Sequence, residues 1–187
     1  MNIRPRLYLD IDGVLCPSSA PDPAWGTVEG TSVRVDYGGG MCATYNVIWA
    51  PALVDALELL REQFELELVW LTTWNEMDAA RTLLVPRLGG LAGGRLLPLT
   101  PGPLKPGEAR GRWKAERLLQ DQAANPSPFI WADDDEVPAH GTTVQNATSA
   151  TSSLLIAPAT AVGLTVDDVT NMRVWLKQRM VVTGPSR

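Results

Sequence analysis

The sequence is poor in the residues that build the commonest catalytic and metal centres. One histidine, His140, serves all 187 residues, and the two cysteines, Cys16 and Cys42, stand far apart with no CxxC spacing. That leaves no ligand set for the usual zinc sites. A serine or cysteine nucleophile paired with histidine would have to rely on His140, which lies between Pro138 and Gly141 in a stretch that reads as a loop. Two isolated cysteines give no disulfide framework and suit a reduced compartment. No apolar run approaches the length of a membrane span. The apolar stretch after Arg4 and Arg6 is broken by Asp10 and Asp12, too early for the core of a signal peptide. The expectation is a cytoplasmic protein without membrane association or an evident obligate protein partner. Positive charge is also short: Lys+Arg total 16 against 21 Asp+Glu, for a net charge of -5 and a pI near 4.9. Such a balance argues against nonspecific nucleic-acid binding, although it leaves room for a small basic patch around one phosphate.

What is present describes a folded domain. Apolar residues make up 45% and charged residues 20%, close to the average for a globular chain, and the length suits a single domain over 1–187. Short apolar runs at residues 7–11, 66–71 and 128–132 read as buried strands, with 153–156 a further strand and 95–99 a weaker one. Residues 31–37 and 41–49 flank Gly38-Gly39-Gly40 and read as a hairpin. Helices are expected from Pro51, where Leu53, Val54, Leu57 and Leu60 recur at helical spacing, over 75–85 up to Pro86, over 112–124, and from Thr165 to about residue 180. Strands alternating with helices predict an α/β fold: a central, mainly parallel five-stranded sheet with helices on both faces, carrying a small loop and hairpin insert at about 16–50. Sites in such sheets lie off the carboxyl ends of the strands.

Three strand ends carry unexpected polar residues: Asp10 and Asp12 after the first, Thr72-Thr73 after the second, and Asp133-Asp134-Asp135 after the fourth. Converging carboxylates repel and are costly to desolvate unless a cation neutralises them. All-oxygen ligands select a hard ion, and Mg²⁺ binds through a few carboxylates together with water and substrate phosphate. The residues therefore point to a magnesium site at the top of a parallel sheet, working on a phosphate group.

Asp10-Ile11-Asp12-Gly13-Val14-Leu15, following an apolar strand, resembles the first signature motif of the haloacid dehalogenase (HAD) superfamily. Thr72, closing Val69-Trp70-Leu71, is similar to the second motif, and Asp133-Asp134 after Phe129-Ile130-Trp131-Ala132 to the acidic fourth. The third motif is a lysine upstream of the fourth strand. Of three lysines, Lys177 comes too late; Lys114 is preferred, with Lys105 the alternative. The resemblance implies a Rossmann-like HAD fold and a phosphatase in which Asp10 is the nucleophile, Asp12 the general acid and base, Thr72 a phosphate ligand and Lys114 a charge balance. It also implies Mg²⁺ held by Asp10, Asp133 and Asp134, with the main-chain carbonyl of Asp12 as a further ligand. Thr73 competes with Thr72, and which members of Asp133–Asp135 touch the metal stays open.

Between the first and second motifs there is room only for a loop, a hairpin and a helix, so the resemblance is to capless HAD enzymes. Trp70-Leu71-Thr72-Thr73-Trp74, Ile130-Trp131-Ala132-Asp133-Asp134 and the tail around Gly163-Leu164-Thr165 are similar to the HAD domains of nucleic-acid end-repair proteins. The implied partner is a phosphorylated substrate, either a small molecule or a nucleic-acid end. Of the seven tryptophans, Trp70 and Trp131 are expected in the core. Trp74 is read as packing in preference to stacking on a base or sugar. The alternative function is a non-catalytic phosphate- or partner-binding module, which would have no need of both Asp10 and Asp12.

Overall fold

A computed structural model describes residues 4–98 and 113–182. β1 (Arg6–Leu9) leads into a long excursion: a hairpin of β2 (Glu29–Gly38) and β3 (Met41–Trp49), then helix α1 (Pro51–Phe64). β4 (Glu67–Trp70) follows, then an irregular helical segment, helix α2 (Val85–Leu88) and β5 (Arg95–Leu96). The chain continues through α3 (Trp113–Ala124), β6 (Phe129–Ala132), α4 (Glu136–Ala147), β7 (Ser153–Ile156) and α5 (Val166–Val182). The sheet has five strands in the order β5-β4-β1-β6-β7, and all four pairings are parallel. β1 is thus central, with Leu9 opposite Trp70 on one side and Ala132 on the other. This is the α/β architecture, with a hairpin insert, expected from the sequence.

Side chains of successive strand residues point to opposite faces, and the core divides accordingly. Leu7, Leu9, Leu68, Trp70, Ile130 and Ala132 pack with Leu53, Val54 and Leu57 of α1 and Met172 and Leu176 of α5. Tyr8, Val69, Phe129 and Trp131 pack on the other face with Ala115 and Leu118 of α3 and Val144 of α4. Each Leu, Ile, Val, Met or Phe among them, fully withdrawn from water, contributes about 1.5–3 kcal/mol. In the hairpin, Gly38, Gly39 and Gly40 have φ of 80°, 60° and 82°, a run of left-handed residues that only glycine tolerates without strain. Val33, Val35, Val47 and Trp49 tuck its inner side into the larger core.

Three expectations are corrected. Residues 75–85 do not form one regular helix ending at Pro86. A 3-10 segment (Thr73–Asp78) breaks at Met77, whose φ is 55°, a π turn (Ala80–Leu84) follows, and α2 runs through Pro86 in its first turn. Proline is tolerated there because first-turn N–H groups lack helical acceptors. The stretch around His140 is not a loop but part of α4. Asp133 Oδ1 accepts the N–H groups of Asp135 and Glu136, which starts that helix despite its poor propensity. β5 is two residues long where five were expected; Leu97 still donates its N–H to Trp70, and residue 99 lies outside the described residues.

Candidate active site

The carboxyl ends of β1, β4 and β6 meet at one place. Asp10 follows β1 directly and its N–H donates to the Ala132 carbonyl at 3.1 Å, while the Asp133 N–H donates to Ile156 at 3.1 Å. The sheet's own hydrogen bonding therefore sets both carboxylates side by side. The chain then leaves β1 in a tight turn in which the N–H groups of Val14, Leu15 and Cys16 all donate to the Ile11 carbonyl. Gly13 sits at the crest with φ +68°, and a Cβ there would fall 2.2 Å from Asp134 Oδ2. Glycine thus serves the turn and also leaves space for Asp134 to approach Asp10.

Lys114, in the first turn of α3, reaches into this cluster. Its ammonium donates to Asp10 Oδ2 at 2.5 Å and to Asp133 Oδ2 at 2.8 Å, and all three side chains are buried. Lys105 lies outside the described residues. Carboxylate oxygens of Asp10, Asp133 and Asp134 come within 4.8 Å of one another. Among the described residues three carboxylates face one ammonium, an excess of negative charge that suits a divalent, oxygen-loving cation. Asp12 is outside that group of three: its Oδ2 accepts the indole N–H of Trp74 at 2.9 Å. Trp74 itself is 6% exposed and belongs to the core, as the packing reading required.

Burial dominates the electrostatics. Desolvation pushes the Asp10 carboxyl up, and Asp133 adds to this, while Lys114 pulls it down. Asp12 is raised by partial desolvation against the opposing Trp74 hydrogen bond although its side chain still reaches solvent, and half-buried Asp134 by desolvation against the hydroxyl of Thr160, which donates to it at 2.6 Å. Burial alone would lower the Lys114 ammonium, but Asp10 and Asp133 outweigh it and the net shift is upward, so it stays charged. Cys16, in the cavity wall, is held by burial and by Asp12 and Asp10 at about 12 and remains a thiol.

A cavity of about 370 Å³ opens over these groups, lined among others by Asp10, Asp12, Lys114, Asp134, Asn46 of β3 and Thr160. Thr73 lines it as well, whereas Thr72 is fully buried with its Oγ1 accepting the Trp74 N–H at 3.3 Å. The family described as the HAD domain in Swiss Army Knife RNA repair proteins matches residues 6–169. The chain belongs to this family. Comparisons with curated proteins and with solved structures gave no significant match. For a HAD domain of this kind, a phosphatase-type hydrolase with a divalent metal at its acidic site is the supported class.

One more residue, Glu136, supports this HAD site. Glu136 is 1% exposed and its two oxygens accept the N–H groups of Lys114 and Ala115, capping the helix that carries the lysine. Burial pushes its carboxyl up to about 8. Nothing in the sequence separated the two readings of an acid in this run, a support for the site or a solvated group. The hairpin's share of the cavity, through Asn46 and Val47, had no local signal either.

Proposed function

We propose that this HAD domain, taken as one domain over residues 1–187, is a Mg²⁺-dependent phosphomonoesterase working through an aspartyl-phosphate on Asp10. The observation that carries the reading is the division of labour between the first two acids. Asp10 joins Lys114, Asp133 and Asp134, whereas Asp12 is turned away to Trp74. Asp10 is then the nucleophile, its oxygen bonding to phosphorus as the bond to the ester oxygen breaks. Asp12, raised by partial desolvation although its side chain still reaches solvent, gives its proton to the departing oxygen and takes one back from the water that hydrolyses the acyl phosphate. Lys114 balances charge on the transferring phosphoryl group. Thr72 or its neighbour Thr73 hydrogen-bonds a phosphoryl oxygen. Mg²⁺ would be held by Asp10, Asp133, Asp134 and the main-chain carbonyl of Asp12, and when bound would neutralise phosphoryl charge.

The family description supports a phosphorylated nucleic-acid end as the substrate. Among the described residues the hairpin alone flanks the cavity as an insert, which leaves room for such a bulky group. The test is hydrolysis of p-nitrophenyl phosphate with Mg²⁺ or with chelator, by wild type and Asp10→Asn, followed by oligonucleotides phosphorylated at the 3′ or 5′ end. Turnover that needs both Mg²⁺ and Asp10 is expected. Silence of the wild type on every substrate would transfer the protein to the binding-module reading.

A further inference from the structure

Asp12 and Trp74 are 62 residues apart, yet the indole N–H donates to Asp12 Oδ2 at 2.9 Å. Among the described residues no other side chain donates to this carboxyl. Trp74 is itself held from two directions. Its main-chain N–H donates to Thr72 Oγ1, and its ring meets Tyr45 of β3 edge-on, with centroids 5.1 Å apart and planes at 61°. Tyr45 in turn shares a 2.6 Å hydrogen bond with the hydroxyl of Tyr37 across the hairpin. A line of contacts thus runs from the hairpin through one indole to the carboxyl of Asp12.

The chemistry of that donor is restrictive. An indole N–H can only donate, so the oxygen it holds must act as acceptor whether Asp12 is charged or neutral. The carbonyl oxygen of a neutral carboxyl is a better acceptor than its hydroxyl oxygen, so this contact favours the proton of neutral Asp12 on the other oxygen, Oδ1. We propose that Trp74 is the positioning residue for Asp12: by holding Oδ2 it leaves Oδ1 as the proton-bearing oxygen, and Tyr45 of the hairpin braces the indole. This rests on the phosphomonoesterase reading. In that reaction the Oδ1 proton passes to the ester oxygen as the phosphorus–oxygen bond breaks. The bonding pair stays with that oxygen, and Asp12 is left as a carboxylate.

The signature is dependence on the leaving group. A p-nitrophenolate departs with little help, whereas an unsubstituted phenolate needs a well-placed proton. Trp74→Phe keeps a ring against Tyr45 and removes the donor. Its kcat/KM on phenyl phosphate is expected to fall roughly tenfold to a hundredfold, a part of the full general-acid contribution, with a clearly smaller loss on p-nitrophenyl phosphate. Tyr45→Ala, which leaves the indole N–H in place but unbraced, should show the same bias in weaker form and covers the case in which Trp74→Phe fails to fold. Thermal melts of both variants report folding separately. Equal losses on the two esters, or no loss on either, would overturn the positioning role while leaving a phosphatase. A wild type that cleaves neither ester nor phosphorylated oligonucleotides would remove the phosphatase reading, and the positioning role would go with it.

Discussion

Replacing Lys114 by methionine keeps the reach of the side chain and removes the ammonium that lies 2.5 Å from Asp10 and 2.8 Å from Asp133. At an effective dielectric of about 20, each contact is a gross attraction of roughly 6 kcal/mol, most of which offsets the desolvation of the buried charges. The variant loses the compensation: removing one partner of a buried pair costs about 3–5 kcal/mol. At about 2–4 °C per kcal/mol for a chain of this size, the melting temperature should fall by roughly 6–20 °C. The loss has a pH signature. Asp10 is already pushed up to about 7, chiefly by burial, and without Lys114 it rises further. A carboxyl whose folded pKa exceeds its unfolded one favours the native state at low pH and loses that contribution as pH rises through the folded value. The deficit of Lys114→Met should therefore be largest near pH 8 and shrink toward pH 6. Added Mg²⁺ should reduce it as well. Urea denaturation of both proteins at the two pH values, with and without Mg²⁺, measures this. A deficit under about 1 kcal/mol at pH 8, or one indifferent to both pH and cation, would refute the account of Lys114 as the counter-charge of the cluster.

Burial raises Asp10 to about 7 and Glu136 to about 8, so metal-free wild type should melt higher near pH 6 than near pH 8. Mg²⁺ should raise the melting temperature more at the higher pH, by about 2.7 kcal/mol in stability at a hundred times its dissociation constant. Glu67 and Asp121 behave oppositely: burial alone would raise them, but Arg95 and Arg6, and for Asp121 also the Tyr8 hydroxyl, hold them low. Their contribution should be lost only below about pH 4. Gly13→Ala would bring a Cβ against Asp134 in a left-handed backbone position. A stability loss of about 1–2 kcal/mol by urea denaturation and a higher Mg²⁺ concentration for half-maximal activity are expected. Glu136→Ala would strip two buried N–H groups of their acceptors, costing about 1–3 kcal/mol in the same assay, while Glu136→Gln, which keeps one acceptor oxygen, should recover part of it.

Much of this was legible in the chain. Leu7 to Leu9 is apolar on both sides of the strand and stops at a carboxylate, which marks a central strand with polar chemistry at its end. Three glycines between two β-branched runs gave the hairpin, and the spacing of Leu53, Val54, Leu57 and Leu60 gave α1. What escaped depended on contacts between distant residues. The α4 sequence carries Pro138, Gly141, Thr142 and Thr143, all poor helix formers. It is helical because Asp133 caps it and because Gly141 lets it press on β7, where a Cβ would come within 2.9 Å of Leu155. Pro86 read as a stop because local rules cannot anticipate a π turn delivering it into the first turn of a new helix. The Trp74 contact with Asp12 spans 62 residues and leaves no periodic trace.

The central place of β1 also fixes a timetable. Arg6 pairs with Glu67 on one side and with Phe129 on the other, 61 and 123 residues later in the chain. At a synthesis rate of about 5–20 residues per second, the first strand made waits roughly 3–12 s for one neighbour and 6–25 s for the other. Throughout that interval Leu7, Tyr8 and Leu9, all fully buried in the finished fold, have no sheet to enter. The segment that ends in Asp10 is thus made well before either of the strands that enclose it, and its apolar side chains stay uncovered until both have followed.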